Sequence, residues 1–320
     1  MLALLVDTPS NADSPQGKRV FIKDITYYIV PPEKQEAHLA PSLHENPKRG
    51  VGTEEKVVDP VAGEFYRSST PDSAIHLDSP PKSPPFPYET PTEPDNPTVV
   101  PREILEKFHF TFLIRHPKYA IPSYYRCCIP PLVERTGFTP FMPSEAGYEE
   151  LRRLFDYCKD TGLVGPAICG QEGQGDITET SQPEICVIDA DDLLDDPEGI
   201  MRKYCKSVGL QFRPEMLEWD SEEAHEFAKE QFEKWDGFHD DAIDSKDLKP
   251  RKHVSSRAIP TSESCSVLTL LPQKKQPKTD EQLHAEWTEK YGKEAADMIK
   301  QTVDDNTATY EYLKTFAIRL

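Results

Sequence analysis

Two short apolar runs, each followed by a proline that opens a helix, constrain this chain more than any other feature. The first is Phe110-Thr-Phe-Leu-Ile114, which ends at Arg115 and leads to Pro117. The second is Ile185-Cys-Val-Ile188, which leads through an acidic stretch to Asp196-Pro197. The second run is fully apolar and has no polar face, so both of its faces must be covered. That is the pattern of a strand in a parallel sheet with helices on both sides. Proline at the first helical position costs no hydrogen bond, because that N–H has no intrahelical acceptor. The chain therefore reads as an α/β protein, a parallel sheet flanked by helices.

The helices follow from periodicity. Pro117 to Arg126 reads as helical, with Pro122 a distortion inside it. Ser144 to Lys159 places Tyr148, Leu151, Phe155 and Cys158 on one face at 3-4-3 spacing. Asp196 caps the helix that begins at Pro197, with Ile200, Tyr204 and Val208 as its buried stripe and Gly209 as its end. From Thr279 to Phe316 the chain is mainly helical, with Leu283, Trp287, Tyr291, Met298, Ile299, Tyr310 and Leu313 as packing positions. Upstream, Val20 to Val30 around Lys23-Asp24 reads as a buried strand stopped by Pro31-Pro32. Pro214 to Trp219, the stretch around Trp235 to His239, and the basic Lys249 to Lys252 read as looser chain.

Composition divides the chain. Of 320 residues 31 are proline and 37% are hydrophobic, too few for one continuous core. Prolines crowd among Ser, Thr, Asp and Glu before residue 100, where the apolar area cannot offset the entropy of ordering. The expected organisation is an N-terminal strand region of the α/β domain (1–32), a Pro-rich disordered insertion (33–100), an α/β core (101–257), a linker (258–278) and C-terminal helices packed on the core (279–320). For the insertion, a plain surface excursion and a substrate lid are both open readings.

Charge excludes some partners. The net charge of −19 opposes nucleic acid and anionic membrane alike, so a bound polyanion needs a local basic pocket. Met1 to Val6 is apolar, but it has no basic leader and ends at Asp7, too short for a signal peptide. No stretch approaches a membrane span. The seven cysteines are odd in number and scattered through apolar patterns. They read as reduced core residues of a cytoplasmic protein, with no metal-ligand spacing among them.

The segment from Phe112 to Arg126 carries the chemistry. Ligands of open α/β sheets bind at the carboxyl ends of strands. Arg115 stands there and can offer a planar fork to a phosphate. Ser123, eight residues on, can offer a hydroxyl to the same group. The bland alternative for the pair is a strand-end arginine salt-bridged to an acid and a helix serine facing water.

This Arg-x7-Ser spacing after a strand resembles that of the sulfotransferases, P-loop proteins. A more local resemblance is to fungal sulfotransferase-like P-loop proteins. It runs over Lys18 to Asp24, Phe110 to Arg126, Phe141 to Tyr157, Ile185 to Pro197, Gly237 to Ile243 and Tyr291 to Leu313. The resemblance implies a P-loop NTPase-type fold and transfer of a sulfuryl group from 3′-phosphoadenosine 5′-phosphosulfate (PAPS) to a hydroxyl of a small secondary metabolite. It implies that Arg115 and Ser123 grip the 3′-phosphate of PAPS. Lys23, Arg251 and Lys252 are further candidates for the nucleotide, and Asp24 and His239 are the candidates for proton transfer.

The departures from that family are specific. A P-loop, whose backbone N–H groups hold the 5′-phosphosulfate, is expected after a first strand. Residues 7–15 carry no basic residue, and no spacing matches such a loop. Ala190 occupies the place of a tyrosine near the adenine, and Arg251-Lys252-His253 lacks the glycine of an Arg-Lys-Gly loop. Two alternatives to catalysis therefore stand: a non-catalytic remnant keeping only the 3′-phosphate subsite, and a fold-sharing enzyme recruited to another tailoring step. His116 reads as a cap of the following helix. Asp189, Asp191 and Asp192 read as a solvated acidic edge with a capping role. Tyr124 and Tyr125 read as core.

Overall fold

The computed structural model describes residues 2–7, 19–32, 34–37, 93–171, 183–232, 237–238, 240–249 and 278–319. Strands β1 (Leu2–Asp7) and β2 (Arg19–Asp24) come first, followed by β3 (His109–Ile114) and helix α1 (Pro117–Cys127). Helix α2 (Tyr148–Asp160) precedes β4 (Val187–Asp189), which runs directly into α3 (Ala190–Asp195) and α4 (Pro197–Ser207). Then come α5 (Glu222–Phe232), α6 (Asp280–Tyr291) and the long α7 (Lys293–Lys314).

The fold is mixed α/β, with helices around a small sheet that is parallel in part. The strand order is β2-β1-β3-β4. Only β3 and β4 run parallel, with Phe112 opposite Val187 and Ile114 opposite Asp189. β1 runs antiparallel to both of its neighbours, with Leu2 opposite Asp24 on one side and Phe112 on the other. The reason lies in the connections. A parallel pair needs a crossover of a dozen or more residues, usually a helix, and residues 8–18 are too short a link for one. Residues 115–186 are long enough, and α1 and α2 fill them.

Alternation along β3 and β4 splits the core into two layers. Phe110, Phe112, Ile114 and Val187 join the larger cluster, with Leu151, Leu154 and Phe155 of α2 and Ala296, Ile299 and Leu313 of α7. Cys186 and Ile188, on the other face of β4, join Ile200, Tyr204 and Cys205 of α4. Phe155 is fully buried and meets Phe112 edge-on, with ring centroids 5.1 Å apart. Phe316, past the end of α7, lies 4.9 Å from the same ring. The chain then turns alongside β4, where Ile318 N donates to the Val187 carbonyl at 2.9 Å.

Several boundaries differ from the sequence reading. The strand expected through Val30 stops at Asp24, whose Oδ1 accepts from Ile25 N at 2.8 Å. A 3-10 turn, Thr26–Tyr28, follows. β2 is also not buried: Phe21 is 54% exposed, because β2 is the edge strand among the described residues. α2 begins at Tyr148 rather than Ser144, because Gly147 takes a left-handed φ of 72° and ends the 3-10 turn before it. α5 lies between the two stretches read as looser chain, Pro214 to Trp219 and Trp235 to His239. It has a Ser221 cap bonded to Ala224 N but no apolar stripe, and Phe227 is 63% exposed. Met298, expected to pack, is exposed at 43%.

Both ends of the Pro-rich segment belong to the fold. Asn96 Oδ1 accepts from Thr98 N and Thr98 Oγ1, both at 2.9 Å, while its amide donates to Glu93 and to the Val100 carbonyl. Val99 N donates to the Ile29 carbonyl at 2.8 Å. This polar knot satisfies buried backbone groups without apolar area, which is why composition does not reveal it. Residues 38–92 lie outside the described residues.

The caps agree with the sequence. Asp196 Oδ1 accepts from Gly199 N at 2.9 Å, and Thr279 with Gln282 forms a capping box on α6. The six described cysteines are buried, and none is in a disulfide.

Because Phe155 joins β3, α2 and the end of α7, Phe155→Ala is expected to cost about 3–5 kcal/mol of folding stability. Urea denaturation followed by circular dichroism checks it. A loss under 1 kcal/mol contradicts the packing described.

Candidate functional site

Three strand ends share one edge of the sheet. β3 and β4 are parallel, so Arg115 and Asp189 leave the sheet on the same side. β2 is reversed twice relative to β3 through β1, so it points the same way. Leu2 stands between Asp24 and Phe112 in one row of the sheet. Strands lie about 4.8 Å apart, so Asp24 and β3 are about 10 Å apart across that row. The edge therefore gathers Lys23, Asp24, Arg115, His116 and Asp189.

Asp189 is the most constrained of these. It is 2% exposed, which corrects the expectation of a solvated acidic edge. A buried carboxylate must be neutralised and hydrogen-bonded, and this one is. Oδ1 accepts from Asp191 N at 2.7 Å and Asp192 N at 3.2 Å, which caps α3 as expected. Tyr310 Oη donates to Oδ2 at 2.7 Å, and Lys314 Nζ lies 3.3 Å from the same oxygen. Lys314 also reaches Asp192 Oδ2 at 2.6 Å. Tyr310 and Lys314 are four residues apart, so α7 presents them on one face. Burial, and then the bond to Asp189, pushes the Tyr310 phenol well above its ordinary pKa and keeps it a donor.

His116 joins the same group. Its Nδ1 accepts from Lys118 N at 3.2 Å, which caps α1 and bears out the capping reading. Nδ1 therefore carries the lone pair, and the proton of the neutral ring sits on Nε2. The ring lies 4.6 Å from that of Tyr310. Burial, and secondarily the positive charge of Lys118, lowers the His116 pKa, so the neutral ring is favoured. From below, Tyr148 Oη donates to the Arg115 carbonyl at 2.6 Å. Strand end, helix start and two tyrosines thus hold the Arg115 backbone.

The guanidinium of Arg115 is exposed and has no ion pair among the described residues. Ser123 is half-buried, two turns into α1. Lys23 lies at the end of β2, and desolvation lowers its ammonium pKa although part of the side chain reaches solvent. The Asp24 carboxylate caps the turn at Ile25. His239, Arg251 and Lys252 lie outside the described residues, as do residues 8–18 where a P-loop is sought. Tyr124 donates to Glu145, and Tyr125 stacks against Phe141 and Tyr291, with centroids 5.2 Å away in each case. Among the described residues no group of three or more His, Cys, Asp or Glu side chains is placed to hold a metal, and no helix is long and apolar enough to cross a membrane.

Sequence reasoning placed Tyr148 and Tyr310 in the core but missed their hydroxyls, and it missed Lys314 altogether. The available signal was the Tyr310-Lys314 spacing on a helix facing an acidic strand end.

The chain is distantly similar to fungal sulfotransferases. One relative, sulfotransferase ppzF of Metarhizium majus, is 28% identical over 226 residues, 70% of this chain. That match spans 57% of the relative's length. Sulfotransferase ppzF of Metarhizium rileyi is 25% identical over 311 residues, 96% of this chain and 72% of the relative. No protein-family model matches the chain, and no solved structure does.

Two predictions follow from the Asp189 cluster. Tyr310→Phe leaves Asp189 Oδ2 with Lys314 alone, and is expected to cost about 1–3 kcal/mol in denaturant titration. His116 has a folded pKa below its unfolded value of about 6.5. The stability it contributes is therefore present above that value and lost as pH falls through the folded pKa. Melting temperature is expected to fall more steeply with acid in the wild type than in His116→Gln. Parallel curves would exclude the effect.

Proposed function

We propose that this protein is a sulfotransferase-like transferase that binds PAPS at the carboxyl edge of its sheet and acts on a hydroxyl of a small secondary metabolite. The observation that carries the reading is Arg115. It is a strand-end guanidinium with no ion pair among the described residues, on a backbone held by Tyr148 and by the His116 cap. The similarity to fungal sulfotransferases supports it.

The residues present fit a phosphate. An exposed guanidinium without a carboxylate partner is a ready bidentate donor, and the Ser123 hydroxyl is on the helix that starts beside it. In this reading Arg115 and Ser123 bind the 3′-phosphate of PAPS. Lys23 lies along the same edge, and its lowered pKa fits an ammonium that gains from an anionic partner. Arg251 and Lys252 are assigned to the nucleotide as well.

When bound, PAPS supplies the sulfuryl group. The chain's own contribution is to orient donor and acceptor and to hold positive charge where negative charge develops. Asp24 is assigned as acceptor of the hydroxyl proton, because it shares the edge with Arg115, and His239 is the second candidate. A proton acceptor must come within hydrogen-bond reach of the acceptor hydroxyl. The bond to Ile25 N engages Oδ1, so Oδ2 is the oxygen assigned to that role. The platform of Asp189, Tyr310 and Lys314 is assigned to positioning, since its hydrogen bonds are spent within the protein.

Adenosine 3′,5′-bisphosphate, the product nucleotide, tests the binding step without requiring turnover. A ligand at 100 times its Kd stabilises the folded state by about 2.7 kcal/mol. The nucleotide is expected to raise the melting temperature of the wild type and to leave that of Arg115→Ala unchanged, with Ser123→Ala intermediate. No rise with a folded wild type, or an equal rise in Arg115→Ala, overturns the assignment. Binding without sulfuryl transfer to any tested hydroxyl acceptor would point instead to a non-catalytic protein that keeps the 3′-phosphate subsite.

A further inference from the structure

Cys169 and Cys186 lie away from the sheet edge, in the smaller core layer between β4 and α4. The segment before β4 makes a short parallel bridge. Ile168 pairs with Ile185, Ile185 N donates to the Ala167 carbonyl at 2.7 Å, and Cys169 N donates to the Ile185 carbonyl at 2.9 Å. Cys169 and Cys186 are the next residues on these two parallel segments. They stand side by side with backbones about 4.8 Å apart. Disulfides span Cα separations of roughly 4.4–6.8 Å, so no backbone movement is needed to join them. Both side chains belong to the same buried cluster.

Their surroundings are unequal. Cys169 Sγ donates to the Lys203 carbonyl at 3.5 Å, the Cys186 thiol and the Ser207 hydroxyl lie beside it, and the Lys203 ammonium adds positive charge nearby. Ser207 Oγ is buried and has no hydrogen-bond partner. These contacts hold the Cys169 pKa below the ordinary thiol value in spite of burial. The same contact and burial raise that of Cys186. The other described thiols with resolved shifts move upward by burial: Cys158, Cys205 and Cys128, the last to about 11. Thiolate character decides reactivity, so Cys169 is distinct among them. Cys127 and Cys128 are neighbours in sequence, but successive residues at a helix end do not face each other.

We propose that Cys169 and Cys186 form a peroxide-oxidisable dithiol, with Cys169 the attacking sulfur and Cys186 the resolving one. In the first step the Cys169 thiolate attacks one oxygen of hydrogen peroxide. The S–O bond forms, the O–O bond breaks, and hydroxide leaves to take up a proton as water. In the second step Cys186 sulfur attacks the Cys169 sulfenic acid. The S–S bond forms, the S–O bond breaks, and the oxygen leaves as water with the Cys186 proton. Two thiols are oxidised and one peroxide is reduced to two waters. Cys169 is 1% exposed and Cys186 fully buried, so the oxidant must be about as small as water. Oxidised glutathione is too large to reach either sulfur in the folded protein.

The sequence makes the test clean. No Lys or Arg lies between Asp160 and Arg202, so trypsin releases one peptide holding both of these cysteines and no other. The folded full chain is treated with hydrogen peroxide, denatured, alkylated and digested. The expected peptide from Asp160 to Arg202 is unalkylated and lighter by two hydrogens than its reduced form. Cleavage at Glu172, Glu179 or Glu184 then separates its halves only after reduction. Cys186→Ser is expected to trap a sulfenic acid on Cys169 that dimedone labels, and Cys169→Ser to leave Cys186 unlabelled. A doubly alkylated peptide after peroxide overturns the dithiol. Dimedone on Cys186 in Cys169→Ser overturns the roles. Equal cross-linking by oxidised glutathione overturns the small-oxidant requirement. If either variant fails to fold, the wild-type peptide map still decides the first point.

Discussion

A buried carboxylate is costly to leave alone, and Asp189 shows what its burial imposes. Removing a charge from water costs several kcal/mol, and only a full set of partners offsets it. Asp189 draws those partners from three places: the first turn of α3, Tyr310, and Lys314 near the end of α7. β4 therefore cannot end where it does unless α7 arrives with its register fixed. Tyr310 then carries the constraint across to His116, and His116 to the start of α1. The geometry of Arg115 is a consequence of a charge buried one strand away.

The elements legible in sequence were those whose signals are local. The strand through Phe110 and Phe112 is apolar on both faces, and Pro117 and Asp196-Pro197 mark helix starts by backbone chemistry alone. Asp196 and His116 were readable as caps because a cap acts on residues two or three positions away. Sheet direction was not readable. Nothing within β1 states its direction; the shortness of residues 8–18 sets it against β2, and no local signal sets it against β3. The knot at Asn96 and Thr98 was hidden for a different reason. It is held by side-chain bonds to backbone, and its composition is that of a loop.

The site was half legible in the same sense. Arg115 and His116 follow from their place after an apolar strand. Asp189 was seen, but as a solvated residue, because its acidic neighbours Asp191 and Asp192 dominate the local composition. Its neutralising partners lie more than a hundred residues away in the chain, and no short-range pattern joins position 189 to 310 and 314. A buried charge in a short strand is the cue that would have prompted a search for a distant cation. Helix α7 offers one in Lys314, a turn past a buried tyrosine.

The same accounting separates groups that hold the structure from groups left to meet a ligand. Asp189, Tyr310, Lys314 and Tyr148 have their hydrogen bonds satisfied within the protein, and removing any one strands a partner. Arg115 is the reverse case: its carbonyl is bound by Tyr148 while its guanidinium faces solvent. A fixed backbone beneath an uncommitted charge is preorganisation, because a bound anion then immobilises only a side chain. An arginine paired to one of the nearby acids would lose that pair on binding and gain little. Among the described residues no carboxylate forms an ion pair with Arg115, and the proposed phosphate contact rests on that observation.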